Sequence, residues 1–284
     1  GNLLAYLGTL AATVLVWCIN RKVMTGLIYN EINKVEDTKV KTVSEYRFLE
    51  RFGEVGEYMR LELKMLLRNK RCKASLRSVA MLVIIFSIIL SFSSTYDHMK
   101  SFVQVYSFLG FGMVILIQLM GVEGNYIDGL MTRKESIKSL LTAKYYIYSL
   151  AEIIPLILLI PAFVMGKASL LGAVALIFLT TGPVYCILFQ LAVYNHKTVP
   201  LNESITGKQS MNTGMQMLIS FGLFIVPTTL YGTLPMLLGQ TWAYIVILII
   251  GLGFTLTSPM WINNVYVRFM QRRYENMEGF RDSK

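Results

Sequence analysis

The stretch SVAMLVIIFSIILSFSS (78–94) decides the fold class, because it contains no charged residue over nearly the length of a membrane-crossing helix. The run is continuously apolar instead of alternating in polarity, so it predicts a helix and not a strand of a membrane barrel. Further apolar runs of similar length lie at 3–19, 102–122, 145–165, 168–194, 215–235 and 241–261. The chain is therefore predicted to be all-α, a transmembrane bundle of about seven helices.

The composition supports this class of protein. Of the 284 residues, 54% are hydrophobic and only 15% are charged, whereas soluble domains carry about 25% charged residues. This excludes an ordinary soluble enzyme and a disordered chain. The three cysteines, Cys18, Cys72 and Cys186, are far apart and odd in number, so a disulfide scaffold is excluded as well.

The positive charges predict the orientation in the membrane. The chain has 27 lysines and arginines. All but Lys100 and Lys167 fall in four segments, 20–77, 123–144, 195–214 and the part of the chain after 261. Because cytoplasmic connections retain cations, these segments and the C-terminus are predicted to be cytoplasmic.

This topology divides the chain into a first span (1–19), a cytoplasmic segment (20–77), a six-span membrane domain (78–261) and a basic cytoplasmic tail (262–284). The sequence starts at Gly1, and no cationic leader precedes the first apolar run. The first span is therefore expected to be the end of a longer N-terminal part.

The cytoplasmic segment contains a predicted amphipathic helix at 55–70, with apolar residues at helical spacing and charged residues on the opposite face. A cationic cluster that we call the basic cluster lies between this helix and the second span. It comprises Arg68, Lys70, Arg71, Lys73 and Arg77. The pattern predicts a helix in the inner membrane interface with its cations near anionic lipid headgroups. A plain positive-inside anchor fits the same residues, and nucleic-acid binding is disfavoured.

The connection 123–144 is the most informative cytoplasmic element. Thr132 and Glu135 have capping-box spacing, which predicts a helix that begins at Arg133. Ile137, Leu140 and Leu141 would form its apolar face. The pattern predicts a surface helix on which a cytoplasmic partner could dock, and an interfacial helix that only anchors the fourth span is the alternative.

Two residues inside predicted spans are candidates for function. Glu152 is an acidic residue within an apolar run, and Pro183 would kink the fifth span. The sequence contains no recognisable catalytic, nucleotide-binding or metal-binding motif. Neither a cofactor nor a metal site is expected, and the chain is not expected to be an enzyme.

Several stretches resemble a known family plan. They are LELKMLLRNKR (61–71), GNYIDGLMTRKESIKSLLTAKYY (124–146), the Tyr194-Asn195 and Leu201-Asn202 region, and RRYENMEGFR (272–281). A basic amphipathic helix followed by six spans, with a cytoplasmic helix between the second and third of the six, resembles the permease subunit of type 2 ABC exporters. More narrowly, the stretches resemble an uncharacterised family of bacterial membrane proteins assigned to that superfamily.

The resemblance implies a permease of the bacterial inner membrane that contacts membrane lipids and works with a separate ABC ATPase subunit, with a homodimer as a possible assembly. The segment 123–144 would be the coupling helix, and its docking residues would be Asp128, Arg133, Lys134, Glu135 and Lys138. Two alternatives stay open. One is a proton-coupled secondary transporter that uses Glu152, and the other is a membrane scaffold without transport activity.

Overall fold

The computed structural model describes residues 14, 15, 17, 18, 20–26, 47–92, 99–132, 134–199 and 214–283. Residues 1–45 and residues 46–284 form two separate units. In the first unit the described residues are helical and extend to Gly26. The remainder of the predicted first span, 3–19, lies outside the described residues.

The described part of the second unit is helical and contains no strand, which confirms the predicted all-α class. Its helices are α1 (Gly53–Arg68), α2 (Lys70–Phe92), α3 (Lys100–Leu116), α4 (Ile127–Met131), α5 (Lys134–Ala151), α6 (Ile153–Leu158), α7 (Ile160–Val164), α8 (Leu170–Leu179), α9 (Tyr185–Tyr194), α10 (Gly214–Leu238), α11 (Gln240–Leu256), α12 (Ser258–Gln271) and α13 (Arg273–Asp282). Two 3₁₀ helices at Arg47–Phe52 and Glu123–Tyr126 and a π-helix at Thr180–Val184 complete the described elements.

Four of the described helical segments are long and apolar enough to cross a membrane. They are Lys70–Phe92, Ile137–Leu158, Leu170–Tyr194 and Gln216–Leu238. The pair α11 and α12, which bends by 52°, makes a fifth if it is one span, and α3 is apolar but has only 17 residues. These helices indicate a membrane protein. A seven-span bundle and a cytoplasmic C-terminus stay predictions.

Prolines explain where several helices end. Proline lacks an N–H, so it leaves the carbonyl four residues earlier without its helical hydrogen bond. Pro155 thereby ends α5 at Ala151, and Pro259 accounts for the bend between α11 and α12. Pro183 lies inside the π-helix that joins α8 to α9. The predicted kink at Pro183 is thus a widened helical turn within one continuous helical segment.

The predicted amphipathic helix is α1, and it packs against α5. Helix α1 ends at Arg68, and Asn69 follows it. The Asn69 side-chain oxygen accepts hydrogen bonds from the backbone N–H groups of Arg71 and Cys72. Asn69 therefore caps the start of α2. The last four residues of the basic cluster form the first two turns of α2, so the membrane helix begins earlier than its apolar run.

A close helix crossing joins α8 and the π-helix to α11. A Cβ atom on Gly251 would lie 2.5 Å from the carbonyl carbon of Phe178, and one on Gly182 would lie 2.6 Å from the carbonyl oxygen of Gly251. The two backbones are thus in direct contact, as in other membrane helix pairs with small residues at the crossing.

Replacing Gly251 by Ala should therefore lower the free energy of unfolding by about 1–3 kcal/mol, because rigid backbone atoms occupy the space of the new methyl group. Gly253 lies on the same helix with no atom within 4 Å of its Cβ position, so Gly253→Ala is a matched control. The control should leave the stability unchanged or raise it by up to about 1 kcal/mol. Unfolding titrations in mixed micelles measure both, and equal effects would contradict the crossing.

Candidate functional site

A lysine and two glutamates form a buried cluster that we call the charge triad. Lys144 on α5 places its Nζ 2.8 Å from Glu62 Oε1 and 2.7 Å from Glu123 Oε1. Glu62 belongs to α1, and Glu123 begins the 3₁₀ helix after α3. All three side chains are at most 2% exposed. The triad therefore ties three separate elements together.

The charges of the triad do not cancel when all three groups are ionised. Two carboxylates and one ammonium leave one excess negative charge in a place without solvent. Glu123 Oε2 has no hydrogen-bond partner among the described residues. Burial raises the pKa of the Glu123 carboxyl, and the ammonium of Lys144 opposes this rise. A proton on Glu123 would remove the excess charge.

A line of polar groups continues from the triad along α5. The hydroxyl of Tyr148 donates to Glu62 Oε1 at 2.9 Å. The hydroxyl of Tyr185 donates to Glu152 Oε1 at 2.7 Å and also lies 3.2 Å from the carbonyl oxygen of Tyr148. Because Lys144, Tyr148 and Glu152 are spaced by four residues, they lie on one face of α5 and its C-terminal end. We call this face with its partners the polar column.

Glu152 is fully buried within the protein. It stands in the break between α5 and α6, and its Oε2 has no partner among the described residues. The approach of Tyr185 depends on a glycine, because a Cβ atom on Gly112 of α3 would lie 2.1 Å from the Tyr185 hydroxyl. The sequence pattern indicates Glu152 but not its partner Tyr185, which lies 33 positions further along the chain.

The connection 123–144, in which a surface helix from Arg133 onwards is predicted, is divided in the structure. It contains the 3₁₀ helix, α4 and the first half of α5. Ile137, Leu140 and Leu141 are buried in the main hydrophobic core. The apolar face predicted to lie along the surface is thus inside the bundle, and α5 continues directly into the candidate span.

The predicted docking residues differ in exposure and in how much of each the structure describes. Asp128 and Lys138 are exposed, and Asp128 forms an ion pair of 2.8 Å with Arg281 of α13. Lys134 and Glu135 lie in the first turn of α5, where only the backbone is described, and Arg133 lies outside the described residues.

The C-terminal helix α13 holds this surface in place. The aromatic ring of Phe280 is fully buried and lies against Gly124. Asn125 donates to the carbonyl oxygens of Val122 and Val199. The segment between α3 and α5 is therefore packed between α13 and the residues that follow α9.

The fold places the residues of the basic cluster in two environments, four at the surface and one in the interior. Arg68, Lys70, Lys73 and Arg77 are exposed, whereas Arg71 is 8% exposed. The Nη1 atom of Arg71 has no hydrogen-bond partner among the described residues. An interfacial cationic surface stays a prediction for the exposed four, and Arg71 belongs to the interior.

Sequence reasoning missed the charge triad, although signals for it were present. Glu62 is an acidic residue in the apolar stripe of α1, next to Leu63 and four residues before Leu66. Lys144 begins the four-residue repeat that continues to Glu152. The pairing itself joins residues more than eighty positions apart, so local periodicity does not contain it.

Replacing Lys144 by Met should lower the free energy of unfolding by about 3–5 kcal/mol, because two buried carboxylates then face each other without a cation. Lys138→Met, at an exposed position of the same helix, is the matched control and should change it by less than about 0.5 kcal/mol. Adding Glu62→Gln and Glu123→Gln to Lys144→Met should recover most of the loss. Unfolding titrations measure all variants, and a triple variant no more stable than Lys144→Met would contradict the charge argument.

Among the residues that the structure describes, no group of three or more His, Cys, Asp and Glu side chains is arranged to hold a metal ion. No curated protein and no solved structure matches the chain. The sequence profile of one family, described as a family of unknown function and designated DUF5687, matches residues 1–283. The chain therefore belongs to the DUF5687 family.

Proposed function

We propose that the chain is the membrane-spanning permease component of an ATP-driven exporter of the bacterial inner membrane, with ATP hydrolysis on a separate ABC ATPase subunit. The main support is the surface between α3 and α5, where Asp128 and Lys138 are exposed and α13 braces the short helix α4. The element order also supports it, because an amphipathic helix precedes the apolar helices. In this proposal the chain acts as a homodimer in contact with membrane lipids, and transport is its only activity.

The charge triad connects this surface to the interior of the bundle. Glu123 lies four residues before α4 and contacts Lys144 inside α5. A push on the surface segment by a closing ATPase dimer would therefore act on α5 through an ion pair and not only through the connecting backbone. Movement of α5 would reach the polar column at Glu152.

The test exchanges charges across one ion pair. Asp128→Arg and Arg281→Asp each break the pair, and the double variant restores it with the signs reversed. We expect all three variants to lose association with the proposed ABC ATPase subunit, by roughly tenfold or more, because docking would depend on the sign of the exposed charge. Co-purification and ATPase stimulation by the full chain measure this.

The double variant distinguishes docking from fold stability. If it binds the ATPase as the unmodified chain does, the ion pair serves only to hold α13, and docking at Asp128 is wrong. Glu278→Arg, which reverses a charge on α13 without a described ion pair, is the matched control and should bind normally. A chain that does not associate with any ATPase subunit would contradict the proposal as a whole.

Glu152 supports a second candidate function, proton-coupled secondary transport. A buried carboxyl group with one oxygen bonded to Tyr185 and the other without a partner among the described residues can take up and release a proton inside the membrane. This candidate needs no ATPase.

For this candidate we expect a carboxylic-acid band that titrates reversibly in infrared difference spectra of the reconstituted chain. The band should be absent in Glu152→Gln, because the amide has the same shape and cannot ionise. Glu275→Gln, at an exposed position, is the control and should keep the band. Identical spectra for Glu152→Gln and the unmodified chain would contradict a proton site at Glu152.

A further inference from the structure

An apolar cavity of about 580 Å³ lies between the amphipathic helix α1 and the apolar helices α2 and α5. Helix α1 contributes several apolar side chains to its wall, and Phe111 of α3 also lines it. Two further wall residues, Leu67 and Leu150, are more than half exposed. The cavity is therefore not sealed from the surroundings of the protein, which for a helix that crosses a membrane are acyl chains.

The wall of the cavity is apolar except for Tyr148 and Arg77. The Tyr148 hydroxyl already donates to Glu62, and Glu62 is paired with Lys144. No acidic residue is among the described residues of the wall. The guanidinium group of Arg77 is thus the polar group that the wall offers to a ligand. Such a wall favours an occupant that is apolar over most of its length and negatively charged at one end.

Arg77 also has the right position along α2. It is exposed, and it is the last charged residue before the apolar run 78–94. We therefore expect it where the lipid headgroups meet the acyl chains. An arginine in this place can lay its stem against the apolar wall and extend its charge toward the headgroups.

A second cation lies beside Arg77. Lys73 precedes it by four residues, so the two side chains share one face of α2. Lys73 is exposed, and neither cation forms an ion pair with a described residue. Like charges at this spacing destabilise a helix. An anion bound between Lys73 and Arg77 would remove this repulsion.

From these observations we propose that the cavity binds one anionic phospholipid from the adjacent leaflet, with an acyl chain in the cavity and the phosphate between Lys73 and Arg77. An unfilled apolar cavity loses dispersion contacts, and an acyl chain restores them. The volume lies within the range of about 300–1,000 Å³ of small-molecule sites. The cations supply the preference for a negatively charged headgroup.

This proposal goes beyond a general contact between a cationic surface and a membrane. A cationic surface attracts many headgroups without fixing any of them, whereas a cavity next to two cations predicts one lipid per chain. The proposal does not rest on the transport function proposed above.

Native mass spectrometry tests the preference for the headgroup. The full chain is released from nanodiscs of phosphatidylcholine with or without phosphatidylglycerol. We expect one phosphatidylglycerol to be retained per chain, and no phosphatidylcholine.

Calorimetric titration in detergent tests the role of the acyl chain. The ligands are lysophosphatidylglycerol and glycerophosphoglycerol, which has the same headgroup and no acyl chain. We expect saturable binding of the first and none of the second.

A charge variant locates the headgroup. Lys73→Gln with Arg77→Gln should weaken lipid binding by roughly tenfold or more, because each cation attracts the anionic headgroup. Lys138→Gln with Lys197→Gln removes two exposed cations that lie outside the cavity wall. This matched control should bind the lipid as the unmodified chain does.

A cavity-filling variant locates the acyl chain. Ala80 lines the cavity on α2, so the ring in Ala80→Phe would take the space of the chain and should weaken binding by roughly tenfold or more. Met81→Phe, at the next and exposed position outside the wall, is the matched control and should bind normally. Thermal unfolding without lipid verifies that each variant folds, and the charge variant supplies the answer if Ala80→Phe does not fold.

Four results would overturn the proposal. They are absence of retained phosphatidylglycerol, equal retention of phosphatidylcholine, binding of glycerophosphoglycerol as tight as that of lysophosphatidylglycerol, and unchanged lipid binding in the folded variants. A lipid-free dimer in the same mass spectra would overturn it as well, since a second copy of the chain would then cover the cavity. None of these readouts involves an ATPase, so they are independent of the exporter proposal.

Discussion

The ammonium group of Lys144, held out of water between two carboxylates, determines how one end of the bundle is assembled. Each charge alone would cost several kcal/mol in an interior of low polarity, and the cost falls only when the three groups are in contact. Glu62 can reach Lys144 only if α1 packs against α5, and Glu123 only if the chain turns back directly after α3. The triad therefore ties the amphipathic helix α1 to α5, with Glu62 on the packed side of α1.

The charge triad and Glu152 are two buried polar sites that differ in how completely the chain satisfies them. In the triad, acceptors and a donor from the chain satisfy one another, apart from Glu123 Oε2, which has no partner among the described residues. Glu152 accepts one hydrogen bond, from the Tyr185 hydroxyl, and its Oε2 has no partner among the described residues. The first arrangement stabilises the fold. The second leaves a buried carboxyl oxygen on which a proton could be held, which is the feature that the proton-coupled candidate uses.

The sequence predicts those features that depend on neighbours along the chain. The all-α class follows from continuous apolar runs, and the predicted amphipathic helix at 55–70 agrees with α1 within two residues at each end. The predicted fourth span starts at 145, whereas the helix that carries it, α5, begins at Lys134 and buries Lys144 with its carboxylate partners. Glu152 is recognisable because it interrupts an apolar run. Its bond to Tyr185 and the pairing of Lys144 with Glu62 depend on tertiary packing, which residue spacing does not encode.

Helix α5 is the element on which both candidate functions depend. Its start adjoins the exposed segment with Asp128, its middle carries Lys144, and its C-terminal break holds Glu152. A helix transmits displacement along its axis, and the break that Pro155 creates is a place where the direction of the chain can change with little loss of hydrogen bonding. In an ATP-driven cycle the displacement would begin at the surface segment and end at Glu152. In a proton-driven cycle a change of charge at Glu152 would act in the reverse direction, since coupling between two sites is reciprocal. The same helix would serve either candidate cycle, so the energy source would depend on what binds at its ends.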